Sequence, residues 1–270
     1  MALSLACCAG TCLAPGRGRD GLLGVGKVRV GFFSFTEITD PGEHRSYNEW
    51  HQLDHMPEQY PLPGVLFGQR WVSTPACRQA RLVDGPLLAP VHYVTMYLMG
   101  EPLDQTLEEF AALGQRLREL GRFHEHRRSH LSGPFTLRAA RAAPRVLVSA
   151  DAVAFRPNRG VFVVVRDRGE PASSDATRSG DEVERVLAEA LLGAGGVAGV
   201  LSFAGDPGLG GERWRPGDRT ITVCYLDEEP LSVTDALGRI VRAEADEGVV
   251  FAGPFEAITP WQWDWFEASS

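Results

Sequence analysis

Residues 47–65 read YNEWHQLDHMPEQYPLPGV, and this stretch decides both the fold and the first candidate site. Its first twelve residues hold two histidines, three acids, a tyrosine and a tryptophan. All seven histidines of the chain lie between His44 and His130. Proton chemistry is therefore expected in the first half of the chain.

The pattern predicts a helix over residues 43–55. At about 100° per residue, one apolar stripe is expected to face a sheet, and it consists of Trp50, Leu53 and Pro57. The adjoining stripe carries Tyr47, His51, Asp54 and Glu58. Asp54 lies three residues from His51, close enough to orient its imidazole ring.

Pro57 disfavours helical backbone at Met56, so the helix is expected to end near His55. An imidazole at that end would lie in the negative field of the last carbonyls, which favours its protonated form. The spacing His-x-x-x-His also suits a metal, but Gln52 stands where a zincin needs glutamate. Acid–histidine pairs are common on helix surfaces, so a purely structural role stays open.

The composition narrows the classes of function. The chain has 270 residues, a net charge of -8, 23% charged residues and 44% hydrophobic residues, which is ordinary for a globular protein. The negative charge, without a basic run, argues against nucleic acid or a membrane surface as partner. No apolar run approaches the roughly 18 residues that cross a bilayer. Five cysteines without a Cys-x-x-Cys pair favour a reducing compartment, and a cytoplasmic location is expected.

Residues 1–26 are expected to form a disordered tail. Residues 1–13 are small and apolar but lack the basic region of a signal peptide. Residues 15–24 are rich in glycine and arginine, as linkers are. A translation start near Val25 is an alternative to Met1.

Three short motifs recur in the same order in both halves of the chain. PGV at 63–65 recurs as GGV at 195–197, ALG at 112–114 recurs at 236–238, and GPF at 133–135 recurs at 253–255. Strands are predicted in the first half at 28–37, 65–73, 91–98 and 135–139, with helices at 43–55 and 104–120. Strands are predicted in the second half at 161–166, 197–203, 220–226 and 249–258, with helices at 181–192 and 232–245. Each half therefore has the order β-α-β-β-α-β, which is the ferredoxin-like motif.

A lone sheet of this kind leaves one face bare, whereas two sheets placed face to face bury both. The predicted fold is α+β, with two tandem ferredoxin-like β-α-β-β-α-β repeats forming a pseudo-dimeric α+β barrel. The expected units are a first repeat over 27–142, a linker over 143–159, a second and degenerate repeat over 160–260 and an aromatic tail over 261–270. Loop-like insertions are expected at 171–180 and 205–217.

These residues carry a family likeness. A first strand, a helix of the form Trp50-x-x-x-x-His55-x-Pro57, and the PGV motif leading into a strand resemble the dimeric α+β barrel superfamily, most of all its EthD-like branch. The resemblance covers about residues 28–139 and implies a pocket between sheet and helices. It also implies that His55 is the motif's histidine and Trp50 its aromatic residue. Members of the superfamily include cofactor-independent monooxygenases, polyketide cyclases, isomerases, decarboxylases and dehydratases, and others have no known activity.

Two haem-binding branches of the superfamily fit less well. Chlorite-dismutase-like proteins hold haem through a histidine of the C-terminal half, and residues 131–270 contain no histidine. Dye-decolourising peroxidases carry Gly-x-x-Asp-Gly, whereas Arg81 stands at the first position of that motif before Asp84. No cofactor and no metal are therefore expected.

Other candidates lie on the following strands. Tyr93 would steady an oxyanion and Arg70 would bind a carboxylate or enolate, with core filling and an ordinary ion pair as the structural alternatives. The histidine- and arginine-rich run 123–130 is predicted to be a solvated loop. An extended aromatic segment that caps a pocket or a subunit contact is predicted from Trp261, Trp263 and Trp265.

The favoured function is a cofactor-independent enzyme that acts on a small hydrophobic, aromatic or polyketide-like molecule as a cyclase, isomerase or monooxygenase. His55 or His51 would move a proton, and Asp54 would orient the imidazole. Substrate contacts are expected from Tyr47, Trp50, Arg70 and Tyr93. The alternative is a non-catalytic small-molecule-binding protein of the same fold, and association into a homodimer is left open.

Overall fold

A computed structural model describes residues 27–167, 179–206, 208–209, 214, 217–245 and 248–267. The predicted N-terminal tail lies outside the described residues, and so does most of the insertion predicted at 171–180. No helix of the described residues is both long and apolar enough to span a membrane.

The first half of the chain contains five strands and four helices among the described residues. In chain order they are β1 (Val30–Ile38), α1 (His44–Trp50), α2 (Met56–Gln59), β2 (Val65–Val72), α3 (Pro75–Gln79), β3 (Val83–Asp84), β4 (Tyr93–Met99), α4 (Leu103–Glu119) and β5 (Arg127–Ala142). A 3-10 turn at Ala150–Phe155 follows, within the expected linker, and buries Val153 and Ala154. The second half contains β6 (Gly160–Asp167), α5 (Gly180–Leu192), β7 (Val197–Gly205), β8 (Arg219–Leu226), α6 (Pro230–Glu244) and β9 (Val249–Ala257).

The described strands form one antiparallel sheet in the order β2-β4-β1-β5-β7-β8-β6-β9-β3, and β2 also pairs with β9. That last pairing closes the sheet into a barrel, so the predicted α+β class is confirmed. Within the first half the order is β5-β1-β4-β2, and within the second it is β9-β6-β8-β7. When the two-residue β3 is left aside and the four other strands of each half are numbered 1 to 4 along the chain, both halves have the order 4-1-3-2. This is the order expected of the ferredoxin-like motif.

Side chains from both halves fill the inside of the barrel. Alternate residues of a strand point to one face, and Phe33 and Phe35 of β1 point inward. The ring of Phe33 meets Phe135 edge to face at 5.7 Å and Phe203 at 5.1 Å. Since buried apolar area stabilises a fold by about 25 cal/mol per Å², this aromatic interior is a main source of stability.

The outer layers of the two halves differ. In the second half, α5 and α6 cover the sheet with a continuous apolar layer that includes Leu187, Leu191, Leu237 and Val241. In the first half, the apolar layer is split into two clusters, one around Phe32 and Phe110 and one around Tyr47 and Tyr93. The candidate site occupies the polar gap between these two clusters.

Two of the recurring glycines start equivalent strands. Gly64 precedes β2, and a Cβ there would lie 2.1 Å from Oγ1 of Thr106 and 2.6 Å from the carbonyl oxygen of Gly100. Gly196 precedes β7 with a φ of +79°, which favours glycine. The two motifs therefore need glycine for different local reasons.

Strand β5 is longer than predicted, and the prediction of a solvated loop over 123–130 is wrong for its second half. After a bulge at Phe35/Thr36, the end of β1 continues to pair with β5 as far as Ile38 opposite Arg127. Elements α3 and β3 were not predicted, because segments of five and two residues are too short to show a hydrophobic period.

The C-terminal segment packs on α1 of the first half. The Phe266 ring stacks on His44 at 3.8 Å, and the indole Nε1 of Trp263 donates a hydrogen bond of 3.1 Å to Gln52. The predicted extended conformation is wrong, because Trp261 has a φ of +69° and is 73% exposed whereas Trp263 is 6% exposed. The rings of these two residues still lie 5.7 Å apart. The segment bends at Trp261 instead of running straight.

We expect Trp263→Ala to lower the free energy of unfolding by about 2–4 kcal/mol, because the substitution leaves a cavity under the C-terminal segment. The matched control Trp261→Ala should change it by no more than about 1 kcal/mol, since that side chain is mostly exposed. Urea unfolding measures both. Equal losses in the two variants would show that the segment does not dock as described.

Candidate functional site

The helix that bears the predicted site does not end at His55. Helix α1 continues through a π-helical turn, His51–His55, into α2, and we call the whole span 44–59 the site helix. The N–H of Met56 bonds to the carbonyl of His51, five residues back. This wider turn directly precedes Pro57, which lacks an N–H and lies in the first turn of α2, where proline is tolerated.

The π turn also changes which side chains face the sheet. Tyr47, Asn48 and His51 are buried, whereas Leu53 is 50% exposed. The predicted apolar stripe through Leu53 is therefore wrong, because a regular 100° step does not hold across a π turn. Trp50 instead stacks on the imidazole five residues later, with ring centroids 4.6 Å apart and planes 20° apart.

A cavity of about 680 Å³ opens between the site helix, the outer face of the first-half sheet and α4. Aromatic side chains form one part of its wall, namely Phe32, Tyr97, Phe110, Phe123 and Trp214. His51 and His55 line the same cavity, and their ring centroids are 5.1 Å apart. The cavity thus combines an apolar wall with two imidazoles, as ligand sites commonly do.

Several polar atoms at this cavity are shielded from water and have no hydrogen-bond partner among the described residues. They are Nδ1 of His51, Nδ1 of His55, Oε1 of Gln59, the hydroxyl of Tyr97 and Nε of Arg127. Buried polar atoms are nearly always paired in folded proteins. All five belong to residues that line the cavity, so its wall holds several polar atoms without a partner among the described residues.

Both imidazoles are held neutral. Burial, followed by the nearby charges of Arg127 and Arg70, lowers the pKa of His55 to about 3. Burial, followed by Arg70 and His55, lowers the pKa of His51 well below its usual value. The prediction that a helix end favours protonated His55 is wrong, because the helix continues past this residue.

Asp54 does not orient His51, so that prediction is also wrong. The Asp54 carboxylate pairs with the guanidinium of Arg122, which also lies 2.7 Å from Oε1 of Glu58. The atom that His51 does approach is Oγ1 of Thr95, 3.4 Å from its Nε2. Asp54 and Glu58 therefore bind Arg122, which follows α4, and the two imidazoles have no carboxylate partner among the described residues.

Arg70 lies behind the cavity wall in a buried polar network. It is 4% exposed, and its Nη2 donates a hydrogen bond of 2.8 Å to Oδ1 of Asn48. Asn48 in turn donates to the hydroxyl of Tyr93 at 2.9 Å, and Nδ1 of His44 lies 2.9 Å from the same hydroxyl. The Arg70 guanidinium lies over the rings of Tyr47 and Tyr93, at 5.2 Å and 5.7 Å. This network sets the electrostatic field behind the imidazoles.

Of the site residues predicted from sequence, the structure brings His51 and His55 to the cavity. Tyr47 and Trp50 belong to the site helix and Arg70 and Tyr93 pack behind it, but none of the four lines the cavity. Sequence analysis missed the other lining residues with polar or charged groups, which include Gln59, Thr95, Tyr97, Arg118 and Arg127. Strand alternation from Tyr93 could have found Thr95 and Tyr97.

The described residues contain no group of three or more histidine, cysteine or acidic side chains placed to hold a metal ion. The His51–His55 pair therefore stands without a third protein ligand in the part of the chain that is described.

No family model and no curated protein matches this chain. Among solved structures it is similar to a provisionally assigned chlorite dismutase, at 9% identity and a TM-score of 0.52, with 89% of this chain and 98% of the other covered. It is also similar to a mutant chlorite dismutase from Candidatus Nitrospira defluvii, at 14% identity, 91% and 95% coverage and a TM-score of 0.45. A provisionally assigned monooxygenase from Fusobacterium nucleatum subsp. nucleatum matches at 7% identity, 86% and 93% coverage and a TM-score of 0.45. The first likeness shows that this chain shares the fold of that protein, and at this identity it shows the fold alone.

We expect stability to fall steeply between pH 6.5 and 5. Burial lowers the pKa of His44 to about 4, and it lowers the pKa values of His55 and His92 to about 3. In the unfolded chain these groups and His51 titrate near 6.5, so below that pH the unfolded state binds more protons. Each such histidine then lowers the free energy of unfolding by up to about 1.4 kcal/mol for each pH unit below that value. The stability that its neutral form contributes is fully present above about pH 6.5.

Urea unfolding at half-unit pH steps measures this slope. The variant His55→Gln should show a slope smaller by about one proton than the wild type, because one of the suppressed histidines is gone. A flat profile over this window in the wild type, or an unchanged slope in the variant, would contradict the buried neutral state.

Proposed function

We propose that this protein is a cofactor-independent enzyme that moves a proton next to a carbonyl or phenol group of a small aromatic or polyketide-like molecule. The observation that carries the proposal is the pair of neutral imidazoles, His51 and His55, which line one aromatic cavity and whose Nδ1 atoms have no hydrogen-bond partner among the described residues. A neutral imidazole accepts a proton, and an unpartnered one is available to a substrate.

The proposed reaction begins with transfer of a C–H or O–H proton to an imidazole nitrogen of His55 or His51. The electron pair of the broken bond forms an enolate or phenolate, whose oxygen takes the negative charge. Burial raises the pKa of Tyr97, so its hydroxyl stays protonated and donates a hydrogen bond to that oxygen. Desolvation and nearby arginines disfavour the imidazolium, which therefore returns the proton readily to the product.

Enolate formation is the shared first step of isomerisation, aldol-type cyclisation and cofactor-free oxygenation. The proposal therefore covers the cyclase, isomerase and monooxygenase types of reaction that the resemblance to the dimeric α+β barrel superfamily implies. A fused duplication also belongs to this proposal, and the register of the GPF motifs supports it: Gly133 lies opposite Phe33 as Gly253 lies opposite Val163.

One working site per chain follows from the contrast between the halves. In the second half, the layer between sheet and helices holds a buried ion pair of Arg166 with Glu184, 2.7 Å apart, and Thr220 donates to the same carboxylate at 2.6 Å. This internally paired network leaves no imidazole in that layer.

Haem held through the second half does not fit this chain. Leu187, Leu191 and Leu237 fill the space between α5, α6 and the sheet, and no histidine occurs after His130. No step of the proposed reaction is routed through haem.

The second candidate function is a carrier that binds the same molecules without reaction. A specific observation favours it: a pKa of about 3 makes His55 a weak base when the cavity holds no ligand. The experiment that follows separates the two candidates.

The test uses phenylpyruvate, which combines an aromatic ring with a CH2 group next to a ketone. In D2O the enzyme should accelerate exchange of the CH2 protons for deuterium, measured by 1H NMR. General-base catalysis contributes about 10²–10⁴-fold, so His55→Gln and His51→Gln together should lose at least about 100-fold.

The matched control is His126→Gln, which removes a histidine that does not line the cavity. The control should exchange as fast as the wild type. Binding of phenylpyruvate without accelerated exchange would reject the enzyme in favour of the carrier, and equal exchange in the double variant would remove the imidazoles from the mechanism.

A further inference from the structure

We infer that the cavity takes an aromatic carboxylate, with the carboxylate held by Arg127 and Arg118, which both contact Phe123. This inference deepens the proposed function, on which it rests, by naming the substrate class of the same site. It begins from the distribution of charge around the cavity.

The described lining residues include arginines but no aspartate or glutamate. Arg219 is one of these arginines, and its own carboxylate partner is Asp167, 2.6 Å away. Arg118 and Arg127, in contrast, have no ion pair with an acid in the described part of the chain. The cavity therefore carries a positive field that an anionic ligand would neutralise.

The nearby acid Glu37 already has partners at the rim of the cavity. Oε2 of Glu37 lies 2.8 Å from Nε2 of His130, and the guanidinium of Arg128 lies 3.9 Å from the same oxygen. Glu37 is thus paired with His130 and Arg128 and not with Arg127.

Arg127 is the more enclosed of the two unpaired cations. Its Nη2 donates a hydrogen bond of 2.6 Å to Oγ of Ser129, while its Nε is shielded from water without a partner. Burial, the largest cause, lowers its pKa, and the neighbouring charge of Arg118 adds to this effect. Burying an uncompensated guanidinium is unfavourable, and a carboxylate that accepts two parallel N–H bonds offsets that cost.

Phe123 holds the two cations in place. The Arg118 guanidinium carbon lies 4.7 Å from the Phe123 ring centroid and that of Arg127 lies 5.2 Å from it, both within range of a cation–π contact. The same ring meets the His55 imidazole edge to face at 5.2 Å. A carboxylate bound here would therefore lie beside one of the proposed bases.

The sheet register places the apolar wall at the other end. Along β1, Phe32 lies opposite Tyr97, Ser34 lies opposite Thr95 and Ile38 lies opposite Arg127. At about 3.3 Å per residue, the backbone of Phe32 is about 20 Å from that of Ile38. Because His51 contacts Thr95, the imidazoles lie between an aromatic end and a cationic end.

The aromatic end and the cationic end of the cavity together specify the ligand. An aromatic ring would pack among Phe32, Phe110 and Trp214, and the carboxylate would point to Arg127. The bond to be deprotonated would then lie between ring and carboxylate, opposite the imidazoles.

The experiment compares 2-naphthoate with 2-naphthamide, which share a shape and differ in charge. Calorimetric titration of the full chain at low salt should give a dissociation constant at least about 10-fold lower for the naphthoate. Arg127→Gln should abolish this preference while leaving naphthamide binding within about 2-fold of the wild type.

The matched control is Arg128→Gln, which removes the same charge from the next residue on the rim. It should retain the preference for naphthoate within about 2-fold. If both variants lose the preference equally, the effect is the net charge of the surface and the inference is wrong.

The wild-type comparison stands even if Arg127→Gln fails to fold. Equal affinity for naphthoate and naphthamide in the wild type would by itself overturn the inference. Preference for the carboxylate without exchange of phenylpyruvate would leave the inference intact and reject the enzyme. Exchange of a neutral ketone such as 2-tetralone, with no preference for naphthoate, would support the enzyme and overturn the inference.

Discussion

The packing of a polar helix face on the outer side of β4 is the contact on which the rest of the site depends. A helix that covers a sheet ordinarily presents aliphatic side chains, as α5 and α6 do in the second half. The site helix instead buries Asn48 and His51, and the Tyr93 hydroxyl links Asn48 to His44. These hydrogen bonds offset part of the free-energy cost of desolvating the polar groups. The first half can therefore keep a cavity in the layer that apolar side chains fill in the second half.

The electrostatics of the site follow from that packing. Asp54 and Glu58 of the site helix pair with Arg122, while the charges of Arg70 and Arg127 act on the imidazoles. Burial and like charge then act in the same direction on His51 and His55, and both favour the neutral form. An anionic substrate would supply the missing negative charge and raise the basicity of the imidazoles where it is needed. The weak basicity of the free site and the proposed preference for carboxylates thus have one cause.

Much of the fold was predictable because its signals are local. The second-half strands β6 and β8 are rich in β-branched residues, and each of their observed bounds lies within one residue of the predicted one. The end and the inward face of the site helix were not predictable from a 100° step, since the π turn at His51–His55 has no clear mark in the sequence. Arg118 and Arg127 line the same cavity only because β5 extends to pair with the end of β1, which is a tertiary effect. The histidines therefore predicted two of the residues that line the cavity, while the positive charge of its lining was missed.

The measurement that tests this account most directly is the protonation state of His51 and His55 at pH 7, read from 15N chemical shifts of labelled imidazoles in the free protein. The account predicts that both rings are neutral at pH 7 and remain neutral at pH 5.5, where an exposed histidine is mostly charged. Protonated rings at pH 7, or ordinary titration near pH 6.5, would show that the imidazoles face bulk water and would contradict the buried site.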